Sequence, residues 1–166
     1  MEQEQIVDAI RDWLDEDDWH YEYVAEHHLI RMGVGLKSKL KNGRIFIDVK
    51  EDCYLVYVVS PIGGDKDDLG ELMKYLTMAN YLLKNGNFEM DVRDGEVRYK
   101  TFVNCEGLTE LPKEIIRESV LAGCYMIDRY GNGIAAIAMG FSDAETEIKK
   151  AEGGDEEESG GGDGDE

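Results

Sequence analysis

Residues Asp67–Val103 read DDLGELMKYLTMANYLLKNGNFEMDVRDGEVRYKTFV, and two periodicities meet inside them. Leu69, Leu72, Met73, Leu76, Ala79 and Leu83 recur at three- and four-residue spacing, which puts them on one side of a helix. Asp68 with Glu71 three residues on is a capping-box pattern with Asp in place of Ser or Thr. Lys84 in the last turn and Gly86 at a left-handed cap predict that the helix ends at Asn85-Gly86. Asn80 falls mid-way along the apolar side, so it is expected to be buried and bonded to backbone of the next loop or an adjacent strand. Tyr75, Met78 and Leu82 form a second apolar stripe beside the first. Cover by a later helix is the plainer reading of that stripe, and a surface for a second copy or a client protein the sharper one.

Beyond Gly86 the period changes to two. Phe88, Met90 and Val92 alternate with polar residues, Asp94-Gly95 is a two-residue turn signal, and Val97 and Tyr99 resume the alternation. That turn predicts a register with Val92 opposite Val97, Met90 opposite Tyr99 and Phe88 opposite Thr101. The other face then pairs Arg93 with Glu96, Asp91 with Arg98, and Glu89 with Lys100. Asn80, Gly86, Asp94 and Gly95 are the residues expected to hold this stretch in shape.

Working outward, Ile6, Val7, Ala9, Ile10, Trp13 and Leu14 predict an amphipathic helix ending near Asp15–Asp18. Tyr21–Ala25 reads as a short strand. Ile30, Met32, Val34, Leu36 and Leu40 alternate up to Asn42-Gly43, a second hairpin signal that would set Leu40 against Ile45 and Leu36 against Val49. Cys53–Val59 is apolar at almost every position, which predicts a strand that is central or covered on both faces. After Pro112, a good first helical residue, Ile116, Val120, Ile127, Ile134 and Phe141 carry a helical stripe that Gly131-Asn132-Gly133 should kink or break. Ser142 with Glu145 suggests a short helix or linker over residues 142–150. Residues 151–166 contain only Gly, acidic residues, one Ala and one Ser, and are expected to be a disordered tail.

The 166-residue chain carries a net charge of −19, of which the last sixteen residues, with eight acidic and no basic side chains, supply −8. So acidic a chain repels phosphate backbones and anionic lipid, which argues against nucleic-acid and membrane partners. Met1-Glu2-Gln3-Glu4 lacks the basic start of a signal peptide, and no apolar run is long enough to span a bilayer. Cys53, Cys105 and Cys124 are odd in number and lack CxxC spacing, so a reducing, cytoplasmic setting is expected.

Candidate chemistry is thin. His27 and His28, on a strand, would point to opposite faces and could not share a metal. Asp65, Asp67 and Asp68 hint at a calcium loop, but Leu69 and Leu76 stand where its ligands belong. Gly131-Asn132-Gly133-Ile134-Ala135-Ala136 fits a loose dinucleotide pattern, yet a helix precedes it where a strand is required. No catalytic residue, cofactor site or metal site is therefore assigned.

The element order reads helix, three or four strands, helix, two strands, long helix. With Asn80-x-x-Leu83-x-x-Gly86-x-Phe88-x-Met90-Asp91 and Asp94-Gly95-x-Val97-x-Tyr99, residues 1–141 resemble the YbjN family, which is named for bacterial sensory-transduction regulation. The resemblance implies an α+β domain with a single antiparallel sheet and flanking helices, similar to type III secretion chaperones. It also implies a role without enzymatic activity, through a protein partner, a client or a second copy. The expected function is a protein-binding regulator or chaperone-like adaptor acting through an apolar helix or sheet surface. A structural homo-oligomer is the alternative, and a cryptic hydrolase the remotest.

Overall fold

The structure, a computed structural model, describes residues 1–65, 69–81 and 83–153. Helix α1 (Gln3–Glu16) leads into strands β1 (Tyr21–Val24), β2 (Leu29–Gly35), β3 (Asn42–Val49) and β4 (Cys53–Val59). Helix α2 (Leu69–Asn80), strands β5 (Asn87–Met90) and β6 (Val97–Asn104), and helices α3 (Lys113–Ala138) and α4 (Ala144–Gly153) follow. All strands join one antiparallel six-stranded sheet in the order β1-β2-β3-β4-β6-β5. The architecture is the α+β class expected, in the expected order.

Strand alternation decides which face is core. The register sets Ile30 against Ile47, Ile47 against Val56 and Val56 against Thr101, with Ile45, Val58 and Tyr99 in the adjacent row. All are buried on one face. Ile6, Ile10, Trp13 and Leu14 of α1, Leu72, Tyr75 and Leu76 of α2, and Ile116, Val120, Ile127 and Ile134 of α3 complete the same core.

Several expectations about boundaries and register are corrected. Helix α2 stops at Asn80, five residues short of Asn85, because the Asn80 amide turns to grip β5. Its Nδ2–H donates to the Phe88 carbonyl (3.0 Å) while the Phe88 N–H donates to its Oδ1 (2.6 Å). A half-buried side chain thus pairs a strand's outward backbone groups as a neighbouring strand would. Gly86 does take the left-handed conformation (φ +79°), but as the lead into β5, packed on the Tyr99 ring.

The β5–β6 register is offset by two residues: Phe88 faces Tyr99, Glu89 faces Arg98 and Met90 faces Val97. Asp91 rather than Asp94 opens the turn, its Oδ1 accepting the Arg93 N–H (2.9 Å) and its carbonyl the Gly95 N–H (2.6 Å). Gly95 closes it at φ +80° and accepts a bond from the Gly64 N–H (2.9 Å). An even offset preserves the faces, so Phe88, Val97 and Tyr99 remain core, whereas Val92 is left in the loop and exposed.

The first hairpin differs more. Asn42-Gly43 begins β3 opposite Gly35 and Val34, and the turn is the loop 36–41. That loop is fixed by α3: the Ser38 N–H donates to Asp128 Oδ1 (2.7 Å), the Lys39 N–H donates to Asn132 Oδ1 (2.8 Å), and Leu40 is buried.

Helix α3 runs unbroken through Gly131-Asn132-Gly133. The glycines are there for proximity. A Cβ at Gly131 would sit 2.5 Å from Ser38 Oγ, one at Gly133 would collide with the Tyr75 hydroxyl, and one at Gly123 would lie 2.6 Å from Val58 Cγ2. Pro112 is the residue before the helix rather than its first. Asp143, not Ser142, caps α4, its Oδ1 accepting the Thr146 N–H (2.9 Å). Helix α4 continues to Gly153, into the stretch read as tail. Residues 154–166 and Asp68, expected to cap α2, lie outside the described residues.

Gly133→Ala should lower stability by about 1–3 kcal/mol in urea titration, by forcing Tyr75 off its site. Because the added Cβ would meet both the hydroxyl and the Cζ (2.5 Å) of Tyr75, Gly133→Ala and Tyr75→Ala should combine less than additively. Additive costs would show that the contact does not govern the helix. Asn80→Leu should cost about 1–3 kcal/mol, since it strands the Phe88 backbone groups. A variant as stable as the parent would refute the strand-mimicking role.

Candidate functional site

The stripe singled out on α2 is not a free surface. Tyr75 is fully buried, edge-on to Tyr130 with ring centroids 6.0 Å apart, and its hydroxyl donates to the Tyr130 carbonyl (3.1 Å). Its candidacy as an interface residue is corrected: α3 and α4 both pack on α2 and close over that side. Met78 is half-buried against the core, and Leu82 lies outside the described residues.

The uncovered apolar surface is on the other side of the sheet. Cys53–Val59 is a central strand between β3 and β6, which is the first of the two expected alternatives, and only its helix-facing side is covered. Facing away from the helices, Phe46 lies opposite Tyr57 and Leu55 opposite Phe102, so the four side chains form one strip across β3, β4 and β6. Phe102 is 54% exposed, and Phe46, Leu55 and Tyr57 are half-buried. No described helix packs over them.

Cations rim the strip. The Arg98 guanidinium lies 4.3 Å from the Tyr57 ring centroid and that of Arg44 5.7 Å from Phe46. Arg98 donates to Glu89 (2.8 Å), which also pairs with Lys100. Arg31 holds Glu22 with two bonds of 2.8 and 2.9 Å, and Lys50 pairs with Asp48 (2.7 Å). Burial pushes the Glu89 carboxyl up, but hydrogen bonds from Lys100 and Arg98 outweigh it and hold it below its ordinary value. At Glu22 the Arg31 hydrogen bond likewise lowers the carboxyl.

Burial raises the thiols of Cys53 and Cys105 and pushes Cys124 up to about 11. His27 lies in a single 3₁₀ turn, not a strand, and His28 contacts Tyr23 (3.3 Å) and Glu4 (3.4 Å). A cleft of about 390 Å³ between α3 and α4 holds Glu147, whose carboxyl burial raises but hydrogen bonds from Lys150 and Ser142 lower on balance. Among the described residues, no three His, Cys, Asp or Glu side chains are placed to share a metal, and no helix is long and apolar enough to cross a membrane.

No family model matches the chain, and no curated protein matches it in sequence. Among solved structures, the crystal structure of YbjN, "a putative transcription regulator from E. coli", matches 81% of this chain and 93% of its own. The TM-score is 0.58 at 13% identity. The fold is YbjN-like. At that identity the likeness to YbjN speaks for architecture alone.

Sequence reading missed the open strip because Cys53–Val59 is apolar on both alternations, which suits a doubly covered strand equally well. The available signal was charge: Arg44, Asp48, Arg98 and Lys100 share the phase of Phe46 and Phe102 on the neighbouring strands, and a covered face would not hold them.

Glu89 yields a pH prediction. Its folded pKa lies below the ordinary 4.5, so its stabilising contribution is present above that value and is lost as pH falls through the folded pKa. Glu89→Gln should therefore narrow the gap in melting temperature between neutral pH and about pH 3 relative to the parent. Parallel curves for the two proteins would show that the Arg98–Glu89–Lys100 cluster contributes nothing.

Proposed function

We propose that this chain is a non-enzymatic protein-binding regulator or chaperone-like adaptor whose contact surface is the open face of the sheet. The observation that carries the reading is the strip Phe46–Tyr57–Leu55–Phe102, contiguous in the register and uncovered. Aromatic side chains with arginines beside them are the groups enriched at protein interfaces. A polypeptide partner that lays apolar side chains on the strip and polar groups on the rim satisfies both parts of the surface.

The same electrostatics disfavour nucleic acid as the ligand. Arg31, Arg98, Lys100 and Lys50 are already paired with carboxylates, and the whole chain is strongly anionic. The same ion pairing disfavours attachment to anionic lipid through this face. The YbjN-like architecture supports a regulator's role only by analogy of fold.

A photo-crosslinking residue at position 102, compared with one at Glu114 on the exposed start of α3, tests this in native lysate. Adducts identified by mass spectrometry should form from position 102 and not from 114. Tyr57→Asp should diminish them at least tenfold without lowering the melting temperature by more than a few degrees. Equal labelling at both positions, or none at 102, would remove the open face as the contact surface.

A further inference from the structure

We infer that the occupant of the open sheet face is a second copy of this chain, packed sheet to sheet about a two-fold axis that lies in the interface and runs perpendicular to the strands. The inference rests on the reading of that face as a contact surface and names what covers it.

The open face is self-complementary. In an isologous interface with its axis perpendicular to the strands, groups at one end of the strands meet those at the other end of the mate, whereas an axis along the strands would set like ends together. Along the strands the face is polarised. One end carries Arg44 opposite Val59 and Val59 opposite Arg98, with Arg31 and Lys100 in the next row. There the cations outnumber Glu22, Glu89 and Glu96. The other end carries Asp48, and beyond it the β3–β4 turn with Glu51 and Asp52, and Glu106 after β6. There the carboxylates outnumber Lys50. The apolar strip of Phe46, Tyr57, Leu55 and Phe102 occupies the middle rows. A half-turn therefore stacks strip on strip and sets the arginine end of each copy over the carboxylate end of its mate.

Charge also selects this face over the rest of the surface. Two chains of −19 repel through their acidic sides, and the exposed carboxylates of α1, Glu4, Asp8, Asp12, Asp15 and Glu16, lie on the helical side. With five cations against seven carboxylates the open face carries only a small share of the chain's negative charge, so it is where a like-charged copy approaches with least penalty. Strand spacing of about 5 Å and rise of about 3.4 Å per residue give a footprint on the order of 500 Å² per copy. A pair buries on the order of 1,000 Å², the lower end for specific interfaces, so the dimer should be reversible with concentration.

Sedimentation equilibrium on the full chain tests this. The parent should show a monomer–dimer equilibrium, and Phe102→Glu, at an exposed site, should weaken it at least tenfold with an unchanged melting curve. Arg44→Glu/Arg98→Glu and Glu51→Lys/Asp52→Lys should each self-associate more weakly than the parent, and an equimolar mixture should regain dimer. A parent that stays monomeric at every soluble concentration overturns the inference, as does a dimer indifferent to Phe102→Glu. A photo-crosslinker at position 102 separates the two readings. A monomeric chain labelling a different, identified protein leaves the contact surface standing and sinks the dimer; no labelling at all sinks both.

Discussion

Three close approaches of helix α3 hold this fold together. Gly123 lets the helix down onto Val58 of the central strand, Gly131 onto the Ser38–Leu40 loop, and Gly133 onto the ring of Tyr75. Each contact fixes a different part of the chain relative to one rigid rod. The first sets the height of the helix above the sheet, the second ties down the long β2–β3 connection, and the third locks α2 and brings α4 within reach. Glycine lowers helix propensity by roughly 1 kcal/mol per residue, and here burial on three sides offsets that cost. The helix survives because its environment, not its sequence, makes it continuous.

The second constraint operates at the sheet's edge. Strand β5 has only four residues and one strand partner, so its outward backbone groups face solvent unless something else pairs them. Asn80 does so from the end of α2, and in doing so ends that helix. The short link from α2 to β5 follows from this geometry. On the neighbouring strand, Tyr99 is buried between Phe88 and the core, and its hydroxyl donates to the Asn85 carbonyl (2.5 Å) in the same link.

What could be read in advance follows from which forces are local. The fold class, element order and core face were legible, because period 3.6 in Leu72–Ala79 and period 2 in Val97–Thr101 are written directly in the chain. Registers were not. Asn42-Gly43 and Asp94-Gly95 both carry turn chemistry, yet the first begins a strand and the second ends a loop that Asp91 had opened. Bonds from Asp128, Asn132 and Gly64, all distant in sequence, outweighed the local signal. Gly131-Asn132-Gly133 failed the same way: as a propensity argument it predicts a break, and only the positions of Ser38 and Tyr75 make it a contact. The open strip was hidden by ambiguity, since an apolar strand does not say whether one or both faces are covered.

The one-sided sheet gives the anionic chain an electrical geometry. A helix is about 10 Å across and packs on the inner face, so the outer carboxylates of α1 lie roughly 15–20 Å from the open face. At physiological ionic strength the screening length is about 8 Å, so their field is largely spent before it reaches that surface. The potential there is set by Arg31, Arg44, Arg98 and Lys100 and by the carboxylates beside them. The net charge therefore governs long-range repulsion, while the open face is electrically its own. Arg44 and Arg98 serve both sides of that division: their guanidinium groups cover Phe46 and Tyr57 in the free chain and keep the strip wetted.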